Sequence, residues 1–168
     1  PMPRISGILT FVRDLLEELA AHFQIRVLTW RYSRQVPERE EYAGCELRRL
    51  EGIFPWAAGR AARDFKPDLV VFGSGFWRPW YLLPYWELFR AGFFPCPAPV
   101  ALTQYTNMTG RAGGLLGWLR PTPDGVIALT EPEAGRWERR FPGRVRFIPP
   151  GVRFRPPSPP LSGFVPTG

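Results

Sequence analysis

A chain of 168 residues, 45% hydrophobic and 15% aromatic, is the size of one domain with enough apolar material for a sizeable core. Its net charge of +7 is carried almost wholly by arginine, Lys66 being the only lysine, which favours anionic partners and says nothing about fold. The basic residues are scattered and carry no nucleic-acid-binding signature, so nucleic acid is not expected as a partner.

Ile8, Val12, Leu15, Leu16, Leu19 and Phe23 recur at helical spacing, with Arg13, Asp14, Glu17 and Glu18 between them; this pattern predicts an amphipathic helix over 8–23. The loop Pro3-Arg4-Ile5-Ser6-Gly7 precedes it. Ile25 to Trp30 is short, branched and apolar, as a buried strand should be. Arg31 to Tyr42 is polar and reads as a loop, Glu46 to Leu50 as a strand, and the Ala-rich stretch Trp56 to Phe65 as a short helix. Lys66-Pro67-Asp68 breaks that helix, and the strand Leu69 to Phe72 stops at Gly73-Ser74-Gly75.

The aromatic segment Trp77 to Phe94 reads as one or two helical pieces broken by Pro79 and Pro84. Charges and prolines interrupt it, so it falls short of the ~18 apolar residues that span a bilayer. Val100 to Thr103 is the next strand, running into the polar Gln104-Tyr105-Thr106-Asn107. A glycine-rich passage leads to the strand Gly125 to Leu129. Thr130-Glu131-Pro132-Glu133 has the composition of a capping box with proline in the first turn, so a helix should run to about Arg140. Val145 to Ile148 is the last strand, and from 153 to 168 the Pro-rich chain has linker composition. Alternating strands and helices at these spacings predict an α/β fold: a Rossmann-like, doubly wound, mainly parallel sheet with helices on both faces, over 1–152.

The order of these segments resembles the N-terminal, acceptor-side domain of family-4 glycosyltransferases, which have a GT-B fold. The resemblance rests on the Ser6-Gly7 loop and its helix, Lys66-Pro67-Asp68-Leu69-Val70-Val71, Gly125-Val126-Ile127-Ala128-Leu129-Thr130, and Ile148-Pro149-Pro150-Gly151-Val152. It implies a hexosyltransferase-type enzyme using a nucleotide-sugar co-substrate and a sugar, lipid or small-molecule hydroxyl acceptor. It also implies an absent C-terminal domain that binds the donor, so that the chain alone would be inactive. Such domains open with a central strand just before the loop at Ser6-Gly7, and here only a few residues precede that loop. A sheet lacking its first central strand would leave unpaired backbone groups. The histidine usual after the fifth strand is replaced by Gln104-Tyr105-Thr106-Asn107.

In open α/β sheets, ligands bind beyond the carboxyl ends of the strands. Ser6 and Gly7, at a helix start, can offer N–H groups to the donor diphosphate; the alternative is an ordinary turn. Ser74, Gly75, Gln104, Tyr105, Asn107, Thr130 and Glu131 form the candidate acceptor cleft, against the alternative of backbone-bonding loop residues and a helix cap. Trp77, Trp80, Tyr81 and Trp86, beside Arg78 and Arg90, suit a membrane interface or a lipid-linked acceptor, or else pack on the sheet. Cys45 and Cys96 form neither a disulfide framework nor a metal motif, and His22 is the only histidine. No metal or other cofactor is therefore expected, and the expected compartment is a reducing cytosol with peripheral contact at the inner membrane face. The remaining alternatives are a non-catalytic Rossmann-like ligand- or membrane-binding module, or another GT-B-like enzyme such as a sugar-nucleotide epimerase.

Overall fold

The computed structural model describes residues 7–74, 79–104, 119 and 122–149, the side chains of 7–11, 74, 79–81 and 104 excepted. Helix α1 (Gly7–Ala20) leads to β1 (Arg26–Trp30), then to a hairpin of β2 (Arg39–Tyr42) and β3 (Cys45–Leu50). Helix α2 (Phe54–Phe65), β4 (Val70–Ser74), α3 (Pro79–Phe93), β5 (Val100–Gln104), β6 (Gly125–Ala128), α4 (Glu131–Glu138) and β7 (Val145–Phe147) complete the order. The larger sheet runs β4-β5-β6-β7 with every pair parallel. This is a Rossmann-like α/β architecture.

Two local expectations need correction. The stretch 31–42, expected as a loop, contains β2, which pairs antiparallel with β3 through Tyr42↔Cys45. Its Arg39-Glu40-Glu41 has no apolar alternation; the strand forms because the turn at Ala43 and Gly44 brings it back onto β3. Both turn residues have positive φ, 54° and 73°, the backbone signature of a type I′ hairpin turn. The Glu40 carboxylate accepts from the Arg49 guanidinium on the facing strand, and this bond holds its pKa below the ordinary carboxylate value. The aromatic segment, expected as one or two helical pieces, is one helix from Pro79, and the break expected at Pro84 does not occur. Pro79 occupies the first position, where no N–H is needed, and Pro84 lies inside the helix.

Helices cover both faces of the smaller sheet. Cys45 turns toward α1, with its Sγ 3.9 Å from the Leu16 carbonyl, and burial there pushes the thiol pKa up. The next residue, Glu46, points the other way and pairs with Arg26 at 2.6 Å. The Arg26 guanidinium lies 4.3 Å from the Phe65 ring centroid, on α2. In the larger sheet, Phe72 meets Trp86 and Phe89 of α3 at 5.5 and 5.2 Å between centroids. Val126 and Ala128 share the core with Trp137 and Phe141 at the end of α4.

Among the described residues the strands form two sheets, β1-β3-β2 and β4-β5-β6-β7, and β1 and β4 are each an edge. Trp30, at the end of β1, and Val71, in β4, are accordingly 59% and 50% exposed. One hydrophobic core nevertheless spans both sheets: Leu50 of β3 and Val100 and Leu102 of β5 belong to a single buried cluster, with Ala58, Ala61 and Ala62 of α2 between them.

That continuity rests on α2 crossing α3 at backbone contact. A Cβ on Gly59 would lie 2.2 Å from the Phe89 carbonyl oxygen, and one on Gly92 would lie 2.3 Å from that of Trp56. Each helix thus presents a glycine to the other helix's backbone, and at these two points the helices lie too close for a side chain between them.

Ala43 is a non-glycine residue in the left-handed region, and asparagine tolerates that region better. Ala43→Asn should stabilise the chain by about 0.5–1 kcal/mol, raising the unfolding midpoint by about 1–3 °C in calorimetry. An unchanged or lower midpoint would contradict the turn assignment.

Candidate functional site at the carboxyl rim

Parallel strands put all their carboxyl ends on one rim. In β4 and β5 the register pairs Gly73 with Thr103 and Ser74 with Gln104, so the two polar strand ends anticipated from the sequence stand side by side. Ser74 and Gln104 are the last residues of their strands rather than loop residues. On the next strand Thr103 pairs with Ile127, and β6 ends at Ala128, two residues before Thr130.

Thr130 is the N-cap of α4: its backbone is extended, at φ −132° and ψ 149°, and its Oγ1 accepts from the Glu133 N–H at 3.4 Å. Glu131 and Glu133 occupy the first turn. Their carboxylates offset the partial positive charge of the helix start, with Glu131 exposed and Glu133 buried. This corner of the rim therefore presents a carboxylate, suited to accepting a hydrogen bond from a hydroxyl and unsuited to a phosphate.

Helix α1 brings a different character. Its carboxyl end meets the start of β3, since a Cβ on Gly44 would lie 3.1 Å from that of Ala20. Fourteen residues at about 1.5 Å each place Gly7 near the opposite, carboxyl rim. No acidic residue lies in its first turn, so no carboxylate of that turn offsets the partial positive charge of the helix start.

Sequence reasoning missed Arg31, one residue beyond β1. Its Nη1 donates to Glu51 at 2.8 Å, its Nε to the Val36 carbonyl at 3.1 Å and its Nη2 to the Arg34 carbonyl at 3.0 Å. One guanidinium thus fastens the loops after β1 and β3 together at the rim. A signal was present: Arg26–Glu46 and Arg31–Glu51 have the same separation of 20 residues, as two ion pairs bracketing one parallel strand pair must.

Other anticipated positions fall differently. Ser6, Gly75, Trp77, Tyr105 and Asn107 lie outside the described residues, and Trp80 and Tyr81 lie in the first turn of α3 with side chains not described. Trp86 cannot contact a membrane or a lipid acceptor in this fold. It is fully buried, its ring against Phe72 and 5.8 Å from the Arg90 guanidinium carbon, because the larger sheet needs an apolar cover on that face. Among the described residues no cluster of His, Cys, Asp and Glu could hold a metal ion. No helix among them is long and apolar enough to cross a membrane. A wide-open cavity of about 620 Å³, lined by residues of 66–68 and 95–98 with Arg63, lies at the amino ends of β4 and β5, away from the rim.

The model of Glycosyltransferase Family 4 matches residues 5–154. The chain belongs to this family. Its function is accordingly of glycosyltransferase type. No curated protein and no solved structure matches the chain.

Thr130→Ala should cost about 0.5–1 kcal/mol of stability, at the lower end of cap losses because the bond is long, while Thr130→Ser should stay near wild type in denaturant unfolding. Equal stability of all three would remove the cap role and leave Thr130 free for a ligand.

Proposed function

We propose that this chain forms the acceptor side of a hexosyltransferase, which moves a sugar from a nucleotide-sugar donor to a hydroxyl on a sugar, lipid or small-molecule acceptor. The acceptor oxygen attacks the anomeric carbon, the bond from that carbon to the diphosphate oxygen breaks, and the hydroxyl proton is lost. Ser6 and Gly7 offer N–H groups to the charge that builds on the departing diphosphate, and the first turn of α1 carries no acidic residue to oppose it. Most of the donor's nucleotide contacts belong to a second, C-terminal domain, so this half alone turns over little or no substrate.

Ser74 and Gln104, with Gly75, Tyr105 and Asn107 next to them in the chain, orient the acceptor hydroxyl. Thr130 and Glu131 border that site. The observation that carries the reading is the Ser74↔Gln104 pairing at the carboxyl end of a parallel sheet, in a chain that belongs to a glycosyltransferase family. Ligands of open α/β sheets sit at this rim, and two adjacent polar strand ends are suited to fixing a hydroxyl by short hydrogen bonds.

The test is transfer by a protein in which this chain is joined to a donor-binding domain, assayed with a panel of nucleotide sugars by the nucleotide released. Gln104→Ala should lower kcat/KM about tenfold or more, the loss of one hydrogen bond worth about 1.4 kcal/mol in the transition state. The chain by itself should release nucleotide no faster than buffer. Rapid turnover by the chain alone, or an unchanged kcat/KM in both Gln104→Ala and Ser74→Ala, would contradict the proposal.

A further inference from the structure

Helix α2 buries Pro55, Ala58, Gly59, Ala61 and Ala62 and turns the opposite face to solvent. On that face Ile53, the N-cap, is 66% exposed and Trp56 42% exposed. One turn on, the Arg60 guanidinium carbon lies 4.9 Å from the Trp56 ring centroid. Arg63 follows and donates through Nη1 to the Phe94 carbonyl at 3.3 Å, which ties the end of α3 into the same surface. Phe94 is 75% exposed, and Lys66 closes the row at the helix end. Positions 53, 56, 60 and 63 recur at helical spacing, so this is one continuous stripe.

A folded chain gains nothing in water by exposing Trp56, Ile53 and Phe94 together. The composition of the stripe points to what covers it. Arg60 and Lys66 have no carboxylate partner among the described residues. Arg63 pairs with its neighbour Asp64 at 3.4 Å, which, like Asp68, tempers the charge without separating the cations from the rings. Cations on flexible stems interleaved with amphipathic or aromatic rings match a lipid headgroup layer, where rings sit at the acyl boundary and cations meet phosphate. The chain's net charge of +7 favours approach to an anionic surface.

We infer that the outer face of α2 with Phe94 is a peripheral docking surface for an anionic lipid bilayer. It stands apart from the aromatic segment to which the sequence directed attention, where Trp86 is buried. It does not depend on the transfer reaction, so either proposal can fail alone.

Co-sedimentation of the whole chain with phosphatidylcholine vesicles containing about 30% phosphatidylserine, against pure phosphatidylcholine, tests it. The wild type should pellet with the anionic vesicles and far less with the neutral ones, and binding should fall as salt is raised. Arg60→Gln with Lys66→Gln should weaken anionic binding roughly thirtyfold, from about fivefold per cation. Trp56→Ala with Phe94→Ala should weaken it at least as much, with the circular dichroism spectrum of both doubles unchanged. No pelleting of the wild type overturns the inference, as does wild-type binding that both folded double variants retain, since the lipid contact would then lie elsewhere. Self-association through this face without vesicle binding would also overturn it.

Discussion

The molecule hangs on the place where α2 and α3 touch without side chains between them. Ordinary helix pairs stand 8–10 Å apart because side chains intervene; at Gly59 and Gly92 a single added carbon would come within 2.2 and 2.3 Å of carbonyl oxygens. The consequence reaches beyond the two helices. Helix α2 belongs to the smaller sheet, whose strands β1 and β3 it covers, whereas α3 joins β4 to β5 in the larger one. No hydrogen-bonded ladder joins those sheets among the described residues, so helix packing and the shared core do the work that strand pairing performs elsewhere in an open sheet.

This explains how the rim keeps its shape. The start of α1 and the loops fastened by Arg31 belong to the smaller sheet, while Ser74, Gln104 and Thr130 belong to the larger. The proposed donor-phosphate contact and the proposed acceptor contacts thus sit on different sheets. An error in the α2–α3 crossing would change their separation, and catalysis by positioning is sensitive to shifts of about 1 Å. The small residues of the crossing are remote from the chemistry and still set its geometry. The two ends of the rim also differ in electrical character: α1 begins with no acidic residue and α4 with Glu131 and Glu133. That asymmetry is the one expected where a leaving diphosphate and a neutral hydroxyl must be told apart.

Much of this fold was legible in the chain. The apolar run Val100 to Leu102, set between breakers, reads as a parallel strand because burial on both faces leaves no alternation. Thr130 and Pro132 announced α4 through capping chemistry, which is local and so survives in sequence. Strand β2 was hidden because its residues are polar and its existence depends on a turn that holds Ala43 at positive φ, an unusual choice that no propensity announces. The role of Trp86 was ambiguous because an aromatic-rich helix reads the same whether it meets lipid or a sheet; only the position of Phe72 decides it. Gly59 and Gly92 went unremarked, since a glycine within a helix looks like a weakness until a neighbouring backbone fills the space. That Ser74 and Gln104 share one rim was legible from parallel strands, whereas their direct pairing needed the register.

Calorimetric unfolding of the wild type, Gly59→Ala, Gly92→Ala and the double variant tests the crossing directly. The wild type should unfold in one cooperative transition spanning both sheets. Each substitution should cost about 1–3 kcal/mol by forcing the helices apart, and the double should cost less than the sum, because the first separation makes room for the second methyl. Two separate transitions in the wild type, or alanine variants as stable as the parent, would show that the sheets are held together by something other than this contact.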